Sequence, residues 1–307
     1  MDTNYRNFYR CLYLATGGFL PVKPLSQHLY PGDFFQIRNG EMMVLGNVFR
    51  KGILDQSDCR FDRGVPLNPA AWDFGDGVSK PYSGRGSGQN AIEGQFEFSK
   101  QLLSFANKGS FFFRAQAPRS VKILNWADIQ QQLIIKLTQT FYSFREIYVV
   151  TESVSAQAWT LAVADAEKAE LEIATETENF GLVDIFGHAD AKTIQSRDIG
   201  FYHREENEKP AFFRAKKLAV QEERLEVFIS ELLTAHQDRD EWASSFYNYN
   251  FGSPAYTPAI PEVAEASVLD MLHAGELNPN TALRYFRWAS TNLDDVERLF
   301  LRYGNER

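Results

Sequence analysis

The residue types most often used to make and break bonds are few in this chain and poorly spaced. The five histidines are His28, His188, His203, His236 and His273, and none belongs to an HExxH zinc helix. Gly187-His188-Ala189-Asp190 offers a His/Asp pair, but neighbours in a loop need not face one another. Cys11 and Cys59 lie in no recognisable nucleophile context, and no GxSxG elbow occurs. Gly84-Arg85-Gly86-Ser87-Gly88 has the glycine content of a phosphate loop, yet no Walker lysine pattern follows it. The acid pairs Glu205-Glu206 and Glu222-Glu223 read as solvated charge. No catalytic residue, cofactor or metal site is therefore expected, and the chain is read as not an enzyme. An enzyme using the Gly-rich loop, with Arg85 and His188 or His203, is the last of three readings.

The spacing does offer binding chemistry. Tyr5, Phe8, Tyr9 and Leu12 share one face of a helix expected over residues 3–15, with Arg6 and Arg10 beside them. Such a helix either docks on the body, its arginines snorkelling, or lies on an anionic lipid surface. Phe212, Phe213, Arg214, Lys216 and Lys217 repeat the combination on an expected strand. They are either an ordinary strand with a solvated basic end or a strand with one face apolar enough for lipid.

Composition narrows the class. The 307 residues are 44% hydrophobic, 14% aromatic and 23% charged, with a net charge of -8. At roughly 150 residues per domain this suggests one large domain and a smaller one, or two domains. Abundant aromatics with ordinary Gly and Pro exclude collagen, coiled coil and disorder. The acidic balance argues against a nucleic-acid partner. Two cysteines cannot frame a disulfide scaffold, which favours a reducing, cytoplasmic setting. No window of ~18 apolar residues is present, so no transmembrane helix is expected. Met1-Asp2-Thr3-Asn4 has no basic region leading into an apolar core, and no secretory signal is expected.

The positioning elements are read as follows. Gly17-Gly18 ends the first helix, and Phe34–Ile37 and Met42–Phe49 flank an Asn39-Gly40 hairpin turn. Residues 55–92, rich in glycine, read as a long loop. Lys100–Ala106 looks helical, and Phe111-Phe112-Phe113 starts a strand. Asn125 is a plausible N-cap for a helix with Ile129, Leu133, Leu137, Phe141 and Phe144 as its core stripe. Strands are expected at 147–152, 158–164, 171–177, 182–186, 199–203 and 211–215, and a helix over 219–236. Short connections between the strands favour antiparallel meanders. The fold expected is α+β: a twisted, mainly antiparallel sheet with flanking helices, plus a small helical C-terminal cap. Residues 1–240 are expected to form the α+β domain, 241–261 a linker whose Pro/Tyr/Asn-rich stretch is Ser244–Pro261, and 262–307 the helical region. Its helices are expected at 262–274, 279–289 and 292–303.

Two blocks carry a family resemblance. Glu146-Ile147-Tyr148-Val149-Val150-Thr151-Glu152, after a long amphipathic helix, resembles the LYVVTE strand of the gasdermin pore-forming domain. Gly18-Phe19-Leu20-Pro21-Val22-Lys23-Pro24-Leu25 is similar to that family's early LiPV-x-x-L segment, and the order of parts fits over roughly residues 1–235. The resemblance implies a latent, autoinhibited protein, cytoplasmic as made, freed by a protease acting in the linker. The freed part would bind membrane lipids, self-oligomerise and insert strand pairs as a β-barrel pore in cell-death or antiviral defence. It makes Arg6, Arg10, Arg214, Lys216 and Lys217 candidates for lipid head groups and Cys11 a candidate acylation site, later in the chain than the cysteine of bacterial members. The alternative is a non-catalytic interaction module with a helical docking tail.

Overall fold

The computed structural model describes residues 2–90, 94–138, 147–175, 192–205, 207–220, 282–284 and 286–301. Helix α1 (Arg6–Thr16) follows a 3-10 turn at Asp2–Tyr5 and buries Phe8, Tyr9 and Leu12, the face its spacing predicts. It ends at Gly17, whose φ of 68° is open to glycine at little cost, and the Gly18 N–H then donates to the Tyr13 carbonyl at 2.7 Å.

The main sheet has eight strands: β1 (Leu20–Pro21), β2 (Asp33–Arg38), β3 (Glu41–Asn47), β4 (Phe61–Pro66), β9 (Arg119–Ile123), β10 (Tyr148–Ser155), β15 (Phe212–Val220) and β16 (Phe286–Ser290). Asn39 (φ 50°) and Gly40 (φ 75°) make the tight β2–β3 turn, as the Asn-Gly pair requires. At the centre, β10 pairs with β15 on one side and with β2 and then β9 on the other. Its residues alternate between two cores. Tyr148, Val150 and Val154 face the core shared with α1, while Ile147 and Val149 face the one shared with helix α2 (Trp126–Thr138). A strand covered on both faces reads as an unbroken apolar run, which is why Ile147–Val150 is so legible. Ile129, Leu133 and Leu137 are buried as expected, whereas Phe141 and Phe144 lie outside the described residues.

Two smaller sheets continue into each other. β5 (Asp73–Asp76), β8 (Phe111–Gln116), β11 (Ala158–Ala164) and β14 (Ile199–Glu205) form one. β6 (Val78–Asn90), β7 (Gly94–Phe105), β12 (Ala169–Thr175) and β13 (Lys192–Arg197) form the other. The chain crosses between them at Gly77, at 106–110, at 165–168 and at Asp198, so two long hairpins share one break line. The first turn and α1 are tied to that line: Asn4 Nδ2 donates to Asp165 at 2.6 Å and Asn7 Nδ2 to Asp76 at 2.6 Å.

Every described strand pairing is antiparallel, in keeping with the α+β expectation. Three elements differ from it. The 55–92 stretch is not a loop but holds β4, β5 and β6; β6 pairs through its backbone with β7, and a ladder needs no apolar side chains. The Gly84–Gly88 stretch is thus a strand and not a phosphate loop. Of the stretch expected as a helix at Lys100–Ala106, Lys100–Phe105 is the end of β7, where Leu103 and Phe105 are buried at period two. Residues 279–289 are not a helix throughout, because Phe286–Ser290 fills the open edge of β15 beyond β1. The expected strand at 182–186, the helix over 219–236 beyond Val220, the linker, the helix at 262–274 and His188 fall outside the described residues.

His203 on β14 packs against Trp159 of β11, ring centroids 4.7 Å apart. Burial pushes its pKa below the ordinary value, and Glu205 offsets this in part. His28 is likewise lowered, by burial and then by Lys209, with Glu205 and the Pro210 carbonyl pulling the other way. A depressed folded pKa means the unfolded chain takes up protons first as pH falls. Stability is therefore expected to decline below about pH 6.5, the ordinary histidine value, and to level off below the folded values. His203→Phe keeps the ring and loses the titration. Its urea midpoint should fall less between pH 7.5 and 5.5 than that of the parent; an equal fall would contradict the assignment.

Candidate functional site

The C-terminal strand and helix lie over the basic residues of the N-terminal region. Helix α3 (Leu293–Arg298) starts with a reciprocal cap: Asn292 Oδ1 accepts from the Asp295 N–H at 3.1 Å, and Asp295 Oδ2 accepts from the Asn292 N–H at 2.9 Å. The other Asp295 oxygen accepts from the Tyr148 hydroxyl at 2.7 Å and from Lys217 Nζ at 2.8 Å. Asp295 is 1% exposed, so this carboxylate sits in the interior with its donors supplied from β10, β15 and its own helix. Tyr148 is held by stacking on Phe35, centroids 5.0 Å apart.

Two residues on, Glu297 takes two further cations. It accepts from Arg10 Nη1 at 3.1 Å and pairs with Arg6. Lys216 Nζ donates to Ser290 Oγ at 2.8 Å, and Tyr13 Oη to the Thr291 carbonyl at 2.9 Å. Lys23 Nζ donates to the carbonyls of Gly40, at 2.8 Å, and Leu299, and sits 4.6 Å over the Phe300 ring. Val296 and Leu299 are buried beneath α3. Gly40 is required here twice, by its positive φ and because a Cβ would stand 3.1 Å from the Leu299 carbonyl oxygen.

The two carboxylates differ in weight. The arginines facing Glu297 are about half exposed (50% and 48%), and such pairs contribute no more than about 1 kcal/mol each. Removing one partner of a buried pair such as Asp295 with Lys217 costs roughly 3–5 kcal/mol, because the other charge is stranded. Asp295 is the pin; Glu297 orients.

Of the five residues expected to meet lipid, Arg6, Arg10, Lys216 and Lys217 all contact the C-terminal segment. Arg214 is elsewhere: it donates to the Thr16 and Gly17 carbonyls at 3.0 and 2.9 Å, pairs with Glu152 at 3.1 Å and lies 3.9 Å over Phe19. It finishes the C-terminal end of α1, where a cation suits the helix dipole. Cys11 is half-buried with Asn7 Oδ1 3.6 Å from its sulfur; burial and then Asp76 push its pKa up, Arg10 pulling back. Cys59 is pushed up to about 11, by burial and Asp58. Both are held as thiols. Lys23 and Tyr148 stand in the two family-like blocks but were not expected as site residues, and Asp295 and Glu297 were not singled out from sequence at all. Among the described residues no group of three His, Cys, Asp or Glu is placed to hold a metal, and no helix is long and apolar enough to cross a membrane.

No family model and no curated protein matches the sequence. Among solved structures the chain is similar to the cryo-EM structure of the gasdermin A3 membrane pore, at 13% identity over 71% of this chain and 90% of that one, with a TM-score of 0.33. It is also similar to a bacterial gasdermin from Bradyrhizobium tropiciagri, at 12% identity over 69% and 86%, with a TM-score of 0.31. Both likenesses are distant.

Asp295→Ala is expected to strand the Lys217 ammonium and free the segment locally. Amide exchange at 286–290 should then quicken by at least 100-fold, with β10 still protected, given a cost of roughly 3–5 kcal/mol. Unchanged protection of 286–290 would show that Asp295 is not the pin.

Proposed function

We propose that the chain is a latent membrane-permeabilising protein. The observation that carries this reading is the cover over the basic row: Arg6, Arg10, Lys23, Lys216 and Lys217 each contact residues 290–300. Removing that segment would expose five cations beside the aromatic face of α1. At roughly 1 kcal/mol per Lys or Arg near an anionic leaflet, the row is worth up to about 5 kcal/mol of membrane attraction. Attraction of that size gives only marginal, reversible binding, so the apolar face of α1 and the association of further copies must add to it. While the segment is docked, the same charges are spent on Asp295, Glu297 and backbone carbonyls.

The release step in this reading is proteolysis within Ser244–Pro261, where Pro, Tyr and Asn crowd between periodic segments. The two long hairpins, 73–116 and 158–205, are the parts that would insert. Each of their strands, taken across the break line, exceeds the roughly 9–11 residues a barrel strand needs. Straightening at the break would align β5 with β6 and β11 with β12, and edges left open by insertion would be closed by further copies of the chain. In this reading Arg214 joins the lipid contacts only after α1 moves, and acylation of Cys11 would add apolar anchoring of about 0.8 kcal/mol per buried CH₂. In this reading the chemistry is non-enzymatic, and the role is the cell-death or antiviral defence that the sequence resemblance implies.

The test places a unique protease site within residues 244–261 and follows dye release from vesicles containing anionic lipid. Intact protein should leave vesicles sealed, and cleaved protein should empty them, faster with more anionic lipid. Sealed vesicles in both cases, with the cleaved protein still folded, would overturn the reading and turn attention to the C-terminal segment as a docking element for a protein partner.

A further inference from the structure

The central strand β10 changes partners along one edge. Tyr148 and Val149 pair with β2, and Glu152 to Ser155 pair with β9. The ladder passes from one strand to the other over the two residues between, and the Gly32 N–H donates to the Val150 carbonyl there at 2.8 Å. Two strands leaving one edge in different directions must leave a gap. The gap is a cleft of about 450 Å³, within the size range of small-ligand sites. Tyr30 walls it on the β2 side, Phe61 and Arg63 on the β4 side, and Ser153 of β10 lines it. Arg50, in the turn after β3, lines both this cleft and an adjoining cavity.

Two features give the cleft a chemical preference. Arg50 and Arg63 are its cations, and neither has an ion pair among the described residues, whereas the cations under α3 are all engaged. Arg63 Cζ lies 5.3 Å from the centroid of the Phe61 ring, a cation–π contact that involves the ring face and does not consume the N–H donors. Tyr30 is 46% exposed, a large aromatic surface at the wall of the cleft. A guanidinium fork prefers a carboxylate or phosphate, and two of them around one anion favour the tetrahedral, doubly charged phosphate. Glu208 on the rim sets one carboxylate against the two guanidiniums, which suits a single phosphate and disfavours a polyphosphate.

We propose that the cleft where β10 changes partners binds a small organic phosphate, Arg50 and Arg63 holding the phosphate and Tyr30 and Phe61 its organic part. Among the described residues, none of the C-terminal segment 286–301 lines the cleft. The phosphate is either a soluble ester or the exposed monoester head group of a lipid. This inference does not rest on the proposed pore function, and its test reads no leakage.

The intact chain is titrated with phenyl phosphate by calorimetry. In parallel it is floated with phosphatidylcholine vesicles with and without phosphatidic acid. Arg50→Gln/Arg63→Gln is compared with Arg60→Gln/Arg119→Gln, which removes the same charge from exposed positions outside the cleft. Arg50 and Arg63 are exposed and make no ion pair among the described residues, so the first variant should fold. Phenyl phosphate binding weakened roughly tenfold or more by the first variant and not by the second supports the site with a soluble ligand. Flotation that requires phosphatidic acid and fails only in the first variant supports it with a lipid one. Absence of binding in both arms, or equal losses in the two variants, would overturn it.

Discussion

A carboxylate can sit in a protein interior only where donors are brought to it, and Asp295 is 1% exposed. That requirement organises the C-terminal segment and the two strands it docks on. The Asn292 N–H fixes the start of α3, Tyr148 commits the central strand, and Lys217 commits the strand beside it. Once Lys217 is committed, the register of β16 on β15 follows, with Leu218 opposite Trp288 and Val220 opposite Phe286. Trp288 then meets Trp126 of α2 at 5.4 Å and donates its indole N–H to the Gln130 carbonyl at 2.9 Å. One buried charge thus ties three elements that are distant in sequence.

Helix α1 is the second organising piece, because it touches both moving parts of the proposed mechanism. Its outer side holds α3 through Arg6 and Arg10, and the residue before its cap, Thr291, through Tyr13. Its start holds the break line of the hairpins through Asn4, Asn7 and the Tyr5 ring, 5.2 Å from Phe201. Loss of the C-terminal segment would remove the first set of contacts and leave the second on an exposed helix. Exposed polar contacts of the second kind contribute little each, so the anchoring of α1 rests chiefly on Phe8, Tyr9 and Leu12 in the core.

Much of this was legible in the sequence where local pattern and tertiary environment agree. The α1 face, the Asn39-Gly40 turn and the run at 147–150 each carry a period or a turn residue that the fold uses unchanged. The basic residues were legible as a set, but not their partners: Arg6 and Glu297 are 291 positions apart and no local pattern links them. Asn292 and Asp295 stand at the spacing of a capping box, a signal that could have marked the start of α3; nothing local marks Asp295 as buried. The misses share one cause. At Lys100–Ala106 and at Phe286–Ser290 a short apolar set fits helical and strand periods alike, and the choice is made by a neighbouring edge that needs a partner. In 78–90 the glycines and serines carry no period, yet backbone pairing with β7 makes a strand. The site at the fork of β10 is legible only in space, since Tyr30, Arg50, Phe61 and Ser153 come from four separate segments.

The central claim is that the docked C-terminal segment, and not the uncut linker, keeps the protein inert. Ala219 and Arg287 are opposite one another across β15 and β16, at a strand spacing that a disulfide can bridge. In a cleavable chain carrying Ala219→Cys and Arg287→Cys, oxidation joins the two pieces before the linker is cut. The account predicts that cut, oxidised protein leaves anionic vesicles sealed and that a reductant starts dye release within the same sample. Release from the oxidised form at the rate of the reduced one would contradict it.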